Sequence, residues 1–203
     1  MLNSLTNVAA KLNSKVGIIN LPRLLLVTDE TRLVDPSDQI RRLPVGSGVI
    51  FRHYNHPNRA RLANTISTIC KDRGLCLIIS KDTSLALEVN AGGLHLPEHE
   101  ILSPSKSVMW WIRSKRGIST GSCHSKKVLH LAGVLGISGA IVSPIFPTPS
   151  HPNSDGLGLK ALAGLCRSSP IPVFALGGIN NKSTNSVINC GVYGLAGIGG
   201  FLR

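Results

Sequence analysis

The chain has 203 residues, 42% of them hydrophobic, which is enough for one small α/β barrel or for a smaller domain with an extension. Its formal charge is +12, and the excess is C-terminal: from residue 101 onward ten Lys and Arg face the single acid Asp155. Glycines and prolines are scattered without a collagen period, no apolar run reaches membrane-spanning length, the five cysteines form no C-x-x-C pair, and aromatic residues are only 4%, which excludes fibrous, membrane, disulfide-framework and zinc-finger classes and leaves nucleic acid the least favoured partner.

Residues 1–20 lack a continuous apolar stretch and read as an N-terminal extension rather than a signal peptide, ahead of a barrel domain over 21–203. Short apolar runs follow, continuous rather than alternating, as buried parallel strands require. They fall at 24–27, 48–51, 75–79 and 93–96; then at either 116–119 or 121–123; then at 139–143, 172–176 and 192–196. Helical spacing lies between them at 58–66, 83–89, 126–132, 159–165 and 183–188. Ser125 is the expected N-cap of the third and Gly191 the expected terminator of the last. The pattern is least defined just after the second strand and over 103–111. About eight strand–helix alternations point to a single small (β/α)8 TIM barrel, with an open doubly wound sheet as the alternative. No clear eighth helix follows the last strand.

In such a barrel the residues just after each strand form the site. Gly177-Gly178 follow the seventh strand and Gly197-Ile198-Gly199-Gly200 the eighth. Paired glycine clusters on adjacent strand ends offer unblocked N–H groups to a phosphate, although glycines also serve tight turns. After the sixth strand, Pro144-Ile145-Phe146-Pro147-Thr148-Pro149-Ser150-His151 combines stiffening prolines with the donors Thr148, Ser150 and His151. Ser122-Cys123-His124-Ser125 places a histidine at a strand end, where it serves either as an acid/base or as a cap partner. Cys123 is a candidate nucleophile, but adjacent residues of an extended strand face opposite ways, which argues against a Cys123–His124 dyad. The basic C-terminal half reads as a solvated surface or as a field that draws a phosphorylated substrate.

Taken in order, Gly93-Leu94-His95-Leu96, Ser122-Cys123-His124-Ser125, Ile145-Phe146-Pro147-Thr148-Pro149-Ser150, Leu157-Gly158-Leu159 and Ala175-Leu176-Gly177-Gly178-Ile179 resemble the thiamine phosphate synthase superfamily, which includes the related thiazole tautomerases. The resemblance runs from Leu24 to Phe201. It implies a (β/α)8 barrel handling a thiazole phosphate in thiamine biosynthesis. The synthase joins a pyrimidine diphosphate to the thiazole phosphate and uses magnesium. Its Gln-x-Arg-x-Lys pattern falls on Ile50, Arg52 and Tyr54, so only the arginine is kept. Its Asn-Asp pair falls on Ser80 and Lys81, and an ammonium is no metal ligand. A second metal carboxylate falls on Glu100 or Glu98, and the lysine after the Thr-x-Thr loop is replaced by His151. On the thiazole phosphate side the resemblance implicates Thr148, Pro149 and Ser150, then Gly177 or Gly178, then Ile198 and Gly199, where glycine replaces the family's serine. The tautomerase branch needs no metal, and its proposed acid/base matches His124, although synthases carry a similar motif.

The expectation is therefore a metal-independent, tautomerase-like enzyme in which His124 moves the proton. Arg52, Lys81, Ser122, Thr148, Pro149, Ser150, His151, Gly177, Gly178, Ile198 and Gly199 would bind the phosphorylated thiazole. One alternative is a divergent synthase that holds Mg²⁺ with Glu100 and another acid such as Asp82. Another is a catalytically silent barrel that binds a phosphorylated ligand or a protein. No cofactor is expected unless the chain is a working synthase; no nucleic-acid or membrane partner is expected, the location is cytoplasmic, and a homodimer is the assembly to test.

Overall fold

Four- and five-residue runs rich in Leu, Ile and Val are too short for stable helices but long enough for strands buried on both faces. In the computed structural model, which describes residues 21–32, 35–148 and 155–198, they form β1 (Leu24–Val27), β2 (Gly48–Phe51), β3 (Cys76–Ser80), β4 (Gly93–Leu96), β5 (Ile118–Ser122), β6 (Gly139–Val142), β7 (Val173–Leu176) and β8 (Gly194–Gly197). All neighbours pair in parallel and in chain order, and β8 closes on β1 with Leu25 opposite Ala196. Closure leaves no sheet edge, so the expected (β/α)8 TIM barrel is the fold, not an open sheet.

The helices are α1 (Ser37–Arg41), α2 (Arg59–Asp72), α3 (Thr83–Glu88), α4 (Glu98–Leu102), α5 (Lys106–Ser114), α6 (Lys126–Leu135), α7 (Gly158–Ser168) and α8 (Thr184–Asn189). Ser125 accepts from the Val128 N–H at 3.3 Å, the expected N-cap, and Gly191 takes the left-handed φ of +86° just past α8. Among the described residues no helix is long and apolar enough to cross a membrane.

Two apolar layers result. Leu24, Leu26, Val49, Phe51 and Ile79 face outward against Ile66, Trp111 and other helix residues. Leu25, Val27, Ile50, Ile78, Ile141, Phe174 and Ala196 face inward and plug the barrel. The Phe174 ring fills space that neighbouring strands concede: a Cβ on Gly194 would lie 2.6 Å from it, and one on Gly139 3.0 Å. This plug sets the floor on which the site is built.

Several boundaries differ from the sequence reading. β5 lies between the two alternatives, overlapping each in part: it begins two residues after the start of the first and ends one residue before the end of the second. β8 begins two residues later than expected, because Val192 and Tyr193 belong to the turn, where the Tyr193 hydroxyl donates to the Leu21 carbonyl at 2.8 Å. α2 runs six residues further, since Ile69 and Cys70 keep its inner face buried. Helices α4 and α5 occupy the poorly patterned region; exposed Trp110 beside buried Trp111 blurs the period there. The expected extension at 1–20 and residues 199–203 lie outside the described residues, as do Pro149, Ser150 and His151.

Candidate active site

Residues alternate across each strand, so the pleat that sends Ile78 and Ile118 into the plug also sends Ser80 and Thr120 inward one step higher, with His95 in register with both, and Ser122 a further step along β5. The result is a polar layer over an apolar one. The Tyr54 hydroxyl meets Ser80 Oγ at 2.6 Å. His95 Nδ1 lies 3.0 Å from Thr120 Oγ1, and its Nε2 3.2 Å from Ser122 Oγ. Burial above all, with the Arg52 charge adding to it, pushes the His95 pKa down to about 3.

The β2–β3 side of the mouth is cationic. A cavity of about 860 Å³ there is lined by Arg52, Tyr54, Asn55, Lys81, Asp82 and His99, among others. Thr28 Oγ1 accepts the Arg52 N–H at 2.9 Å and also contacts His53 Nδ1 at 2.9 Å, which anchors the chain where the arginine leaves β2. Arg59 donates to the His53 carbonyl (2.8 Å), to the Ser80 carbonyl (3.2 Å) and to Asp82, tying the β2 and β3 loops together. Lys81 stands at a left-handed φ of +68° and donates its N–H to the His95 carbonyl at 2.9 Å. A non-glycine residue held in that region has its direction set by its surroundings.

The donor set does not fit a divalent metal. Lys81 puts an ammonium at the position where the resemblance requires a carboxylate. Asp82 pairs with Arg59 and accepts the Leu85 N–H as the cap of α3. Glu100 accepts the Ser105 N–H, and Glu98 the His124 N–H. Among the described residues no three His, Cys, Asp or Glu side chains converge as metal ligands.

Strand order places β7 across the barrel from β3, so Gly177 and Gly178 face the cationic side. Gly178 has φ +66°, and a Cβ there would come within 2.6 Å of Phe146 Cβ and 2.9 Å of the Pro147 carbonyl. The glycine therefore serves the packing of the β7 loop under the β6 loop, the turn role that sequence reading left open. The pairing of Leu176 with Ala196 engages the Gly177 N–H in the β7–β8 ladder, whereas the Gly178 N–H has no backbone acceptor among the described residues. Thr148 Oγ1 is buried with no partner among the described residues, and Ile198 rests its side chain on the plug. A free N–H and an orphaned hydroxyl are what an anion would satisfy.

His124 sits on the rim, its side chain 49% exposed. Its Nδ1 lies 3.0 Å from the Ser143 carbonyl, which can only accept, so Nδ1 carries the hydrogen and Nε2 is the basic atom. Glu98 Oε2 is 4.0 Å from Nε2. Cys123 is fully buried, and burial pushes its thiol up to about 12, which removes it as a nucleophile. The other four cysteines are also free thiols.

The structure thus gathers Arg52 and Lys81 on one side of the mouth, Ser122 within it, and Thr148, Gly177, Gly178 and Ile198 on the other side. Sequence reading gave no role to Tyr54, His95 or Thr120, and met Glu98 only as a metal ligand. Their signal was the period-two register of β3, β4 and β5, in which polar residues sit at inward positions.

Fold and site together define a (β/α)8 barrel with cationic and polar side chains at its C-terminal mouth. A family model described as Thiamine monophosphate synthase matches residues 24–201. A protein of Aquifex aeolicus (strain VF5), provisionally named thiamine-phosphate synthase 2, is 32% identical over 192 residues, 91% of this chain and 100% of that one. A Salinibacter ruber thiamine-phosphate synthase is 29% identical, covering 87% of this chain and 80% of its own. The thiamine phosphate pyrophosphorylase of Pyrococcus furiosus superposes with a TM-score of 0.70 at 24% identity, over 87% of this chain and 85% of that one, which supports the fold. The chain belongs to the thiamine monophosphate synthase family.

Proposed function

We propose that this chain is a transferase of thiamine biosynthesis that joins a pyrimidine diphosphate to a thiazole phosphate, giving thiamine phosphate and releasing diphosphate. The family match over residues 24–201, with relatives named as synthases, carries this reading above the tautomerase first expected from the sequence. In this reading the diphosphate lies on the β2–β3 side and the thiazole phosphate on the Gly177–Gly178 side. The departing diphosphate gains negative charge as its bond to the pyrimidine breaks. Arg52 and Lys81 are cations on that side, borne on anchored backbone, and stabilise the charge directly, the role a metal ion plays where relatives place an aspartate. The Gly177–Gly178 turn, through the Gly178 N–H, together with Thr148 holds the other phosphate still while the new bond forms. Pro149, Ser150, His151 and Gly199 belong to the same proposed phosphate lining. The molecule is proposed to work without a cofactor.

One observation favours a second reading. The Ser143 carbonyl leaves His124 Nε2 as a free base at the rim, beside Glu98. That arrangement suits a proton shift within a thiazole, the tautomerase reaction. The two readings separate in one experiment. The chain and its His124→Gln variant are given both phosphorylated precursors, then the non-aromatic thiazole phosphate alone. Thiamine phosphate formed at similar rates by both proteins supports the transferase. Aromatisation that disappears in the variant, with no thiamine phosphate from either protein, supports the tautomerase. Loss of both reactions with retained pyrophosphate binding identifies a silent barrel.

A further inference from the structure

Between the apolar plug and the cavity lies a histidine that neither reaction uses. His95 projects from β4 at the level of Thr120 on β5 and is 6% exposed. The two partners of its ring, Thr120 on Nδ1 and Ser122 on Nε2, decide which nitrogen holds the hydrogen. Thr120 is fully buried, and among the described residues its hydroxyl has no other hydrogen-bond partner than Nδ1. If Nδ1 carried the hydrogen, the Thr120 O–H would have no acceptor, and a buried donor left unmade costs about 1–3 kcal/mol. The arrangement that satisfies every buried donor runs one way. Thr120 donates to Nδ1, and Nε2–H donates to Ser122 Oγ. Ser122 must then turn its own hydrogen away from the ring, and no other protein acceptor for it exists among the described residues. Burial holds the ring neutral, so the doubly donating imidazolium that would reverse Thr120 is not populated.

We infer that His95 is a positioning residue that fixes the half-buried Ser122 hydroxyl as a hydrogen-bond donor to an oxyanion, a phosphate or diphosphate oxygen, bound in the barrel mouth. A serine held in this way keeps its hydrogen for the ligand and suits an anion, which only accepts. Thr120 acts behind it, setting the direction of the chain from a position that touches no ligand. The ligand half of the inference rests on the reading of the mouth as a phosphate site, whereas the direction of the chain does not.

Two measurements on the full-length chain test it. Long-range ¹H–¹⁵N NMR, with the ring signals assigned by their loss in His95→Gln, is expected to show the Nε2–H tautomer in the free protein; an Nδ1–H tautomer overturns the inference whatever the protein binds. Calorimetry with inorganic pyrophosphate is expected to show about tenfold weaker binding for Ser122→Ala. His95→Leu should weaken binding to a similar degree, but add little in a Ser122→Ala background. A His95→Leu effect that is undiminished in that background means the histidine acts on structure at large, and the inference fails. Thermal unfolding of each variant separates lost binding from lost folding. If the wild type binds neither pyrophosphate nor thiazole phosphate, the phosphate reading falls and takes the ligand half with it, while the Nε2–H result still stands on its own.

Discussion

Gly178→Ala joins fold and site in one residue. The new methyl would occupy a left-handed backbone at φ +66°, which costs an alanine about 1–2 kcal/mol. It would also meet Phe146 Cβ at 2.6 Å, the Pro147 carbonyl at 2.9 Å and the Phe146 carbonyl carbon at 3.0 Å. Two of those atoms are backbone, so the β6 loop must move bodily, and such overpacking costs about 1–3 kcal/mol. Together the loss is about 2–5 kcal/mol, a large part of the stability of an ordinary domain. Urea unfolding followed by circular dichroism should show the midpoint lowered by about 1–2 M with the slope preserved. Because the displaced loop carries Thr148, pyrophosphate affinity at a temperature where the variant is folded should fall about tenfold or more. A midpoint within about 0.2 M of wild type, well below the shift expected from such strain, would refute the packing argument, and unchanged affinity would refute the coupling of that packing to the anion site.

Three further outcomes are expected. Lys81→Asp should abolish pyrophosphate binding measured in excess chelator and restore part of it when Mg²⁺ is added; unchanged binding in chelator would show that the ammonium contributes nothing. Stability should fall as pH drops from about 6.5 to about 3, because unfolded His95 takes up a proton that the buried ring refuses, and the wild type should lose more than His95→Gln, by an amount of order a few kcal/mol, in urea titrations across that window; parallel curves for the two proteins would contradict this. Iodoacetamide at pH 8 should leave Cys70 and Cys123 unmodified in the folded chain, since burial raises both thiols to about 12 and leaves about one in ten thousand ionised; mass spectrometry showing either modified as fast as a free thiol would overturn it.

The barrel was legible because β1, β2, β3, β6 and β7 are mainly apolar runs, a pattern that two-sided burial explains, whereas β5, Ile-Ser-Thr-Gly-Ser, gave no such signal. Lys81 was legible as a departure from a family motif, and Ser125 and Gly191 as local capping chemistry. What could not be read depends on register or on contacts between loops. Ser80, His95 and Thr120 come into register only through the pairing of β3, β4 and β5, which also brings Ser122, one step further along β5, to the His95 ring. The partnership of His124 with Ser143 and Glu98 joins three separate strand ends. Asp82 was read as a reserve metal ligand, but Arg59, 23 residues earlier, claims its carboxylate. The packing of Gly178 against Phe146 and Pro147 gives a structural reason for a glycine that sequence alone assigned to phosphate.

In the proposed reaction Arg52 and Lys81, not a divalent metal, neutralise the diphosphate. The most direct measurement is the initial rate of thiamine phosphate formation from the two phosphorylated precursors, taken once in excess chelator and once in millimolar Mg²⁺. Equal rates are expected in the two conditions, with a large loss in both for Lys81→Ala. Product that appears only with Mg²⁺, or a rate indifferent to Lys81→Ala, would contradict it.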